Sequence, residues 1–183
     1  RAIWGQSLQN AESTLKAPTM KRFSTAASLA GLLTCLPVQA QTPEQWTQWG
    51  TVVHGGFGSL IAYGIRVGED ALKRLKAEKR DVTVEYADNP AAPCACVVDG
   101  VSIAVTASLG QRSLKLSDSP APSHLLGRVT FTHKDSKQAL VYELPWSALT
   151  VMGEINSRWP PGQRYEAVMK LDADRLYTVT QPR

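Results

Sequence analysis

The sequence predicts an α+β fold, with a two-layer α-β-α-β-β-β core, helices on one face of a mixed sheet and a C-terminal helical extension. Helical periodicity at residues 60–75 is followed by strand-like alternation at 81–86, and a second apolar helix precedes three further strand-like segments. The chain has 183 residues, 43% hydrophobic and 20% charged. This composition indicates one globular domain and excludes a disordered chain.

Residues 20–40 have the pattern of a secretory signal peptide. Met20 is followed by the basic pair Lys21-Arg22, an apolar stretch, Pro37 and small residues up to Ala40. We therefore predict cleavage after Ala40, which leaves a single mature domain at residues 41–183 in the periplasm or outside the cell.

Two alternatives concern the same end of the chain. Residues 1–19 carry no initiator Met, and we interpret them as non-native upstream sequence; a natural disordered extension is the alternative. Cys35 would become a lipid attachment site if the protein were a lipoprotein. The apolar stretch is too short for a permanent membrane span, and no later segment approaches the required length.

The positive charge lies mostly in the region that we expect to be removed. The formal net charge is +4, but residues 1–40 hold four basic side chains and one acidic side chain, so the remaining 143 residues carry a net charge of only +1. A nucleic-acid-binding surface would need clustered basic residues. We therefore expect no nucleic-acid partner.

The first two helices are predicted from their start signals and their periodicity. Thr42 is an N-cap, Pro43 occupies the first helical position, and Gln45 completes a capping box. We expect this helix to end at Gly50. After a glycine-rich loop, a longer helix runs from about Leu60 into the charged segment 73–80. Its glycines, four residues apart at 64 and 68, would permit close approach of another backbone.

The remaining elements follow from alternation, caps and breaks. Asp99 is expected to cap a second apolar helix that runs to about Leu109 and stops at Gly110. Strands are predicted at 81–86, 113–116, 128–134 and 139–144, with a hairpin at 135–136, helices across 145–169 broken at 160–162, and a closing strand at 175–180.

The predicted mature domain keeps two cysteines, Cys94 and Cys96. A disulfide across a single intervening residue would be strained and would close almost no loop, so it would add little stability. We therefore do not expect a structural disulfide. Metal binding, redox chemistry or one functional thiol remain as interpretations.

Two motifs resemble the FmdE-like domain family, which takes its name from formylmethanofuran dehydrogenase, over about residues 46–144. The first is His54-Gly55-Gly56-Phe57-Gly58-Ser59-Leu60, followed by Gly64 and Arg66, and the second is Cys96-Val97-Val98-Asp99-Gly100-Val101, leading to Thr106 and Leu109-Gly110-Gln111-Arg112. The resemblance implies an α+β fold, frequently a dimer, with a metal site, often zinc, between the two motif loops.

Only part of the family pattern is present. His54, Cys96 and Asp99 match it, but Gly56 and Gly58 stand where the family has its second His and its first Cys. We carry over the fold and the location of the site, without the reaction of the archaeal complex.

The candidate site contains metal ligands and backbone donors. We predict His54, Cys96, Cys94 and Asp99 as ligands of zinc or another soft divalent metal, because thiolate and imidazole favour such ions. The loop residues Gly55, Gly56, Gly58 and Ser59 are predicted to bind an anionic ligand through N–H groups at a helix start. In the simpler interpretation, the glycines permit packing, Cys96 is a buried apolar residue and Asp99 only caps its helix. We regard His124 and His133 as structural or surface residues.

Two classes of function follow. The first is an exported protein that binds a metal ion or a small anionic ligand. The second is an enzyme in which a Cys96 thiolate, activated by His54, is the nucleophile or redox centre. The resemblance and the abundance of Trp and Tyr also suggest a homodimer.

Overall fold

A computed structural model describes residues 40–182. The predicted upstream segment and the signal peptide before Ala40 lie outside the described residues. The elements are α1 (Pro43–His54), α2 (Ser59–Leu75), β1 (Val82–Asp88), α3 (Cys96–Val105), β2 (Leu114–Leu116), β3 (Leu125–His133), β4 (Ala139–Pro145), α4 (Ser147–Arg158), α5 (Pro161–Met169), a 3-10 turn (Ala173–Arg175) and β5 (Thr178–Thr180). The predicted α+β class and the order of its core elements are confirmed.

The five strands form one open mixed sheet in the order β2-β1-β3-β4-β5. The β1–β2 pair is parallel, with Val84 opposite Leu114, whereas the other three pairs are antiparallel. The parallel pair needs a crossover connection, and α3 lies in it. The predicted hairpin between β3 and β4 closes through the bond from His133 N to the Gln138 carbonyl at 2.9 Å.

One face of the sheet is buried and the other is open. Val84, Phe131 and Tyr142 on neighbouring strands are buried in the core beneath the helices. On the opposite face Arg128 and Glu143 lie in register and form an ion pair at 3.0 Å. This alternation is the period-two pattern of a strand with one covered face, and it confirms that the helices lie on one side.

Helices α2 and α3 pack closely against each other at their glycines. A Cβ on Gly64 would lie 2.0 Å from the Val97 carbonyl oxygen, and one on Gly68 would lie 2.6 Å from the Ala104 Cβ. Because positions 64 and 68 meet positions 97 and 104 in the same direction, the two helices run parallel. Both therefore begin at the same end of the domain.

Three predicted helix boundaries were wrong: the end of α1 and both ends of α3. Helix α1 continues past Gly50 to His54, because Gly50 lies against the Phe57 ring, where a Cβ would be 2.5 Å from a ring carbon. Helix α3 begins at Cys96 with Ala95 as its N-cap and ends at Thr106 in the left-handed region. Asp99 therefore lies inside the first turn and does not cap the helix. None of the helices in residues 40–182 is long and apolar enough to cross a membrane.

Candidate functional site

A pocket of about 270 Å³ opens where α2 and α3 begin. Helix α4 forms its remaining wall. Its lining residues are His54, Gly58, Leu60, Ile61, Pro93, Cys94, Cys96, Leu149, Met152, Gly153 and Asn156. The lining is largely apolar, with polar and sulfur-bearing groups contributed by His54, Cys94, Cys96 and Asn156. Such a lining is typical of a small-ligand site.

His54 is oriented by a carboxylate from the neighbouring helix. Its Nδ1 lies 2.7 Å from Asp99 Oδ2, and the two side chains are 33% and 35% exposed. An ionised carboxylate only accepts hydrogen bonds, so the imidazole carries its proton on Nδ1 in this contact. In the neutral ring Nε2 then keeps its lone pair, which can accept a proton or bind a metal ion.

The structure joins the sulfur atoms of Cys94 and Cys96 in a disulfide with a Cα–Cα distance of 5.3 Å, where the sequence predicted no structural disulfide. Ala95, the N-cap of α3, is the single residue between them. Cys96 is buried and Cys94 is half-buried, and both line the pocket. The closed loop is so short that it restricts the unfolded chain little, and a bond of this kind contributes little to stability.

The start of α2 is held by α4. Ser59 donates its backbone N–H to Asn156 Oδ1 at 2.9 Å and its hydroxyl to the Met152 carbonyl at 2.7 Å. Arg164 also bonds the loop, donating from Nη1 to the Phe57 carbonyl at 2.8 Å. Both polar groups of Ser59 are thus used inside the fold, and its side chain is fully buried.

The family described as "FmdE, Molybdenum formylmethanofuran dehydrogenase operon" matches residues 53–177. That range covers more than half of the chain. This protein belongs to the FmdE family. No curated protein matches it. The match extends beyond residue 144, where the resemblance recognised in the sequence ends. It includes α4 and α5, so the pocket wall that α4 forms is part of the FmdE domain.

The predicted site residues of this FmdE domain are only partly brought together. His54, Gly58, Cys94 and Cys96 line the pocket, and Asp99 reaches it through its contact with His54. Gly55 ends α1 with a φ of 88° and, like Gly56, does not line the pocket. Ser59 forms hydrogen bonds with α4 and does not line the pocket. His124 is exposed in a loop, and His133 Nδ1 accepts from Asp135 N in the β3–β4 turn.

Sequence reasoning missed the residues that α4 contributes. Leu149, Met152 and Asn156 recur at helical spacing, so they lie on one face, and that face forms the pocket wall. The signal that could have found them is a polar residue, Asn156, on an otherwise apolar stripe. No local motif connects it with Ser59, which is 97 positions away.

The donor atoms of the pocket decide whether it can bind zinc, the metal that the resemblance to the family implies. Within residues 40–182, no group of three or more His, Cys, Asp or Glu side chains is arranged to hold a metal ion. Joined in a disulfide, the two sulfurs provide no thiolate, and Asp99 is engaged with His54. The oxidised pocket therefore does not fit zinc. Reduction would release two thiolates in the pocket that His54 also lines, and zinc prefers sulfur and imidazole donors.

Proposed function

We propose that this protein is an exported FmdE-family domain whose dithiol form binds a metal ion, zinc by donor chemistry, in the His54 pocket. The observation that carries the proposal is the presence of His54, Cys94 and Cys96 in the lining of one pocket. His54 Nε2 and two thiolates would be the ligands, and Asp99 would orient the imidazole, as carboxylates commonly do for metal-binding histidines. Three protein ligands leave a coordination position for water or substrate.

The same pocket suits a small anionic ligand. The N-terminal ends of α2 and α3 lie at its wall. Asn156 accepts from Ser59 N at the start of α2, whereas Ala95, the N-cap of α3, has no side chain that could accept from the first-turn N–H groups. Helix starts of this kind attract negative charge. A carboxylate or phosphate group is therefore the expected chemistry of a co-ligand.

The test is zinc binding by the purified mature domain with its cysteines reduced or oxidised. Native mass spectrometry should show one zinc ion on the reduced protein, and His54→Ala and Cys96→Ser should remove it while urea unfolding stays cooperative. His124→Ala is the matched control, because this histidine is exposed outside the pocket. Full zinc occupancy in both pocket variants, or no zinc on the reduced parent protein, contradicts the proposal.

The disulfide favours a second candidate, a thiol–disulfide redox enzyme. A substrate thiolate would attack Cys94 Sγ, the sulfur–sulfur bond would break, and Cys96 would leave as a thiolate at the start of α3. A helix N-terminus stabilises a thiolate. In this mechanism the reduced protein alkylates selectively at Cys96, and His54→Ala slows that reaction. Equal alkylation rates at both cysteines would exclude it.

Export and self-association complete the proposal. The signal-peptide pattern of residues 20–40 supports delivery to the periplasm or outside the cell, with the mature chain starting at Gln41. An apolar surface on α1 supports a homodimer: Trp49, Val52 and Val53 are 39%, 79% and 53% exposed. These side chains line an open groove beside Ile103 of α3. Exposed apolar patches of this kind commonly mark association sites.

A further inference from the structure

The side chain of Gln41, just before α1, is held by a lysine from a distant part of the chain. Lys79 Nζ donates to Gln41 Oε1 at 2.6 Å. The next residue, Thr42, is fixed as the N-cap of α1 by reciprocal hydrogen bonds with Gln45 at 2.9 and 3.3 Å. Residue 41 is therefore anchored through its own amide and through its neighbour.

Lys79 is itself held in place. Its Nζ lies 4.9 Å from the centre of the Trp46 ring and 5.7 Å from that of Trp49, which are cation–π distances. Burial lowers the pKa of Lys79, and the negative charge of Glu69 on α2 opposes that shift. The hydrogen bond and the two ring contacts give the ammonium group a defined position against Gln41 Oε1.

We propose that Gln41 is a modification site at which the mature chain cyclises to an N-terminal pyroglutamate, with Lys79 assisting the reaction. The proposal rests on the processing after Ala40 that is part of the proposed function. Cleavage there would free the α-amine of the same residue whose side-chain amide Lys79 holds. The attacking nitrogen and its target carbon then belong to one residue, and a five-membered ring closes between them.

The reaction balances without a further reactant. The lone pair of the α-amine attacks Cδ, a carbon–nitrogen bond forms, the Cδ–Nε2 bond breaks, and the former amide nitrogen leaves as ammonia with a proton from the amine. No electron is transferred to another molecule. The Lys79 ammonium would stabilise the negative charge that develops on Oε1 during the attack, as a preformed hydrogen-bond donor does in an oxyanion hole.

The product also fits the site. The former Oε1 becomes the lactam oxygen, which can still accept from Lys79. The ring nitrogen is uncharged, so cyclisation removes the repulsion between the new α-ammonium and the Lys79 ammonium. Glu69 on α2 is an acidic group whose charge acts on Lys79, and it does not need to change its charge during the reaction.

The first experiment separates cyclisation from export. The mature domain is released from a removable N-terminal carrier so that Gln41 becomes the first residue, and mass spectrometry follows the loss of one ammonia with time at constant pH. We expect the folded parent protein to cyclise several-fold faster than the same chain in urea. Lys79→Met should slow the folded protein to the rate of the unfolded chain, and Lys79→Arg should restore part of the difference.

Lys73→Met is the matched control, since Lys73 is exposed near the end of α2. Circular dichroism and urea unfolding establish that Lys79→Met stays folded, and Lys79→Gln serves as a second variant. Equal rates in the folded parent, the Lys79 variants and the unfolded chain would overturn the proposal. So would a folded parent that keeps its amide while the unfolded chain cyclises.

The second experiment uses the complete chain, exported by a bacterial host. An N-terminal peptide that begins with pyroglutamate at position 41 supports both the processing and the modification. A chain that begins elsewhere contradicts the processing alone, because the released protein still decides whether Lys79 promotes cyclisation. An exported chain with an unmodified Gln41 after prolonged storage contradicts the modification.

Discussion

Asp99 comes three positions after Cys96, so its side chain emerges from nearly the same face of α3 one turn later. This spacing lets one short helix place a sulfur in the pocket wall and a carboxylate against His54 of α1. The carboxylate fixes the imidazole through the 2.7 Å contact, and the sulfur lines the pocket beside it. A change of one residue in the spacing would turn the Asp99 side chain away from His54.

Gly64→Ala tests the backbone contact that aligns the two helices. A Cβ at this position would lie 2.0 Å from the Val97 carbonyl oxygen, and neither backbone can move without repacking the core. We expect the free energy of unfolding to fall by about 3 kcal/mol or more, at the upper end of overpacking effects. Urea unfolding followed by circular dichroism measures it.

Gly153→Ala is the control for that substitution. Gly153 is an exposed helical residue of α4, and nothing lies within 4 Å of an added Cβ. The helix propensity of Ala should raise the free energy of unfolding by roughly 0.5–1 kcal/mol. If Gly64→Ala were as stable as the parent protein, the close parallel packing of α2 and α3 would be incorrect.

At the scale of elements, α2 depends on α4 for its start. Its N-cap is Gly58, which has no side-chain acceptor, and Asn156 of α4, 97 positions later in the chain, supplies the missing acceptor to Ser59 N. The same residue faces the pocket, so the capping interaction also fixes the distance between two of its walls. Pocket shape and helix stability are therefore coupled through one side chain.

Asn156→Ala should lower the free energy of unfolding by about 1 kcal/mol, the usual effect of a lost N-cap acceptor. Asn156→Asp should retain most of the stability, because it keeps the acceptor oxygen and places a negative charge at the helix start. Thermal unfolding of both variants measures the difference. Equal losses in the two variants would show that Asn156 acts through packing alone.

At the scale of the whole molecule, the buried tyrosines connect the helical layer with the sheet. Tyr63 on α2 donates to the Leu176 carbonyl, and Tyr142 on β4 donates to Asp70 of α2 at 2.8 Å. Burial raises the pKa of Tyr63, Tyr86, Tyr142 and Tyr177 above the ordinary value of 10.0. Nearby carboxylates and tyrosines add to these shifts, and nearby arginines oppose them.

These shifts predict alkaline destabilisation. Above pH about 10 the tyrosines of the unfolded chain release their protons, whereas the folded protein keeps them, so the unfolded state binds fewer protons and stability falls as the pH rises. Each buried tyrosine contributes a slope of up to about 1.4 kcal/mol per pH unit. Lys79, whose pKa burial lowers, acts in the opposite direction but is a single group.

Urea unfolding at several pH values between about 8 and 11.5 measures this slope, which follows from the ordinary tyrosine pKa. Ultraviolet absorbance of tyrosinate in the folded protein should show ionisation only as the protein unfolds. Tyrosine ionisation at pH about 10 in the native protein would contradict the predicted shifts.

The exposed apolar surface of α1 is the interface of the proposed homodimer. If the α1 surface is the interface, sedimentation equilibrium should give twice the mass of the mature chain at tens of micromolar, and Val53→Asp should give the monomer mass. Leu116→Asp is the control, because Leu116 is a comparably exposed apolar residue on β2. A monomer mass for the parent protein would reject the dimer.

The elements of this domain could be predicted because their signals are local. The capping box of α1 needs only Thr42 and Gln45, and the strands need only alternating side chains with one buried face. The predicted end of α1 at Gly50 was wrong. Glycine often marks a helix end, but Gly50 lies within the helix and permits contact with Phe57. The two motif loops could be placed at one end of the fold for a similar reason, because each precedes a helix.

The α+β order, the approximate positions of the helices and strands, and the candidate residues His54, Cys96 and Asp99 could all be predicted from the sequence. How these residues are used depends on the tertiary structure. It joined Cys94 with Cys96, turned Asp99 from a helix cap into the partner of His54, used both polar groups of Ser59 inside the fold, and brought Asn156 across 97 positions. Contacts between distant segments depend on how the elements pack together, and no local sequence motif specifies which distant residues will meet.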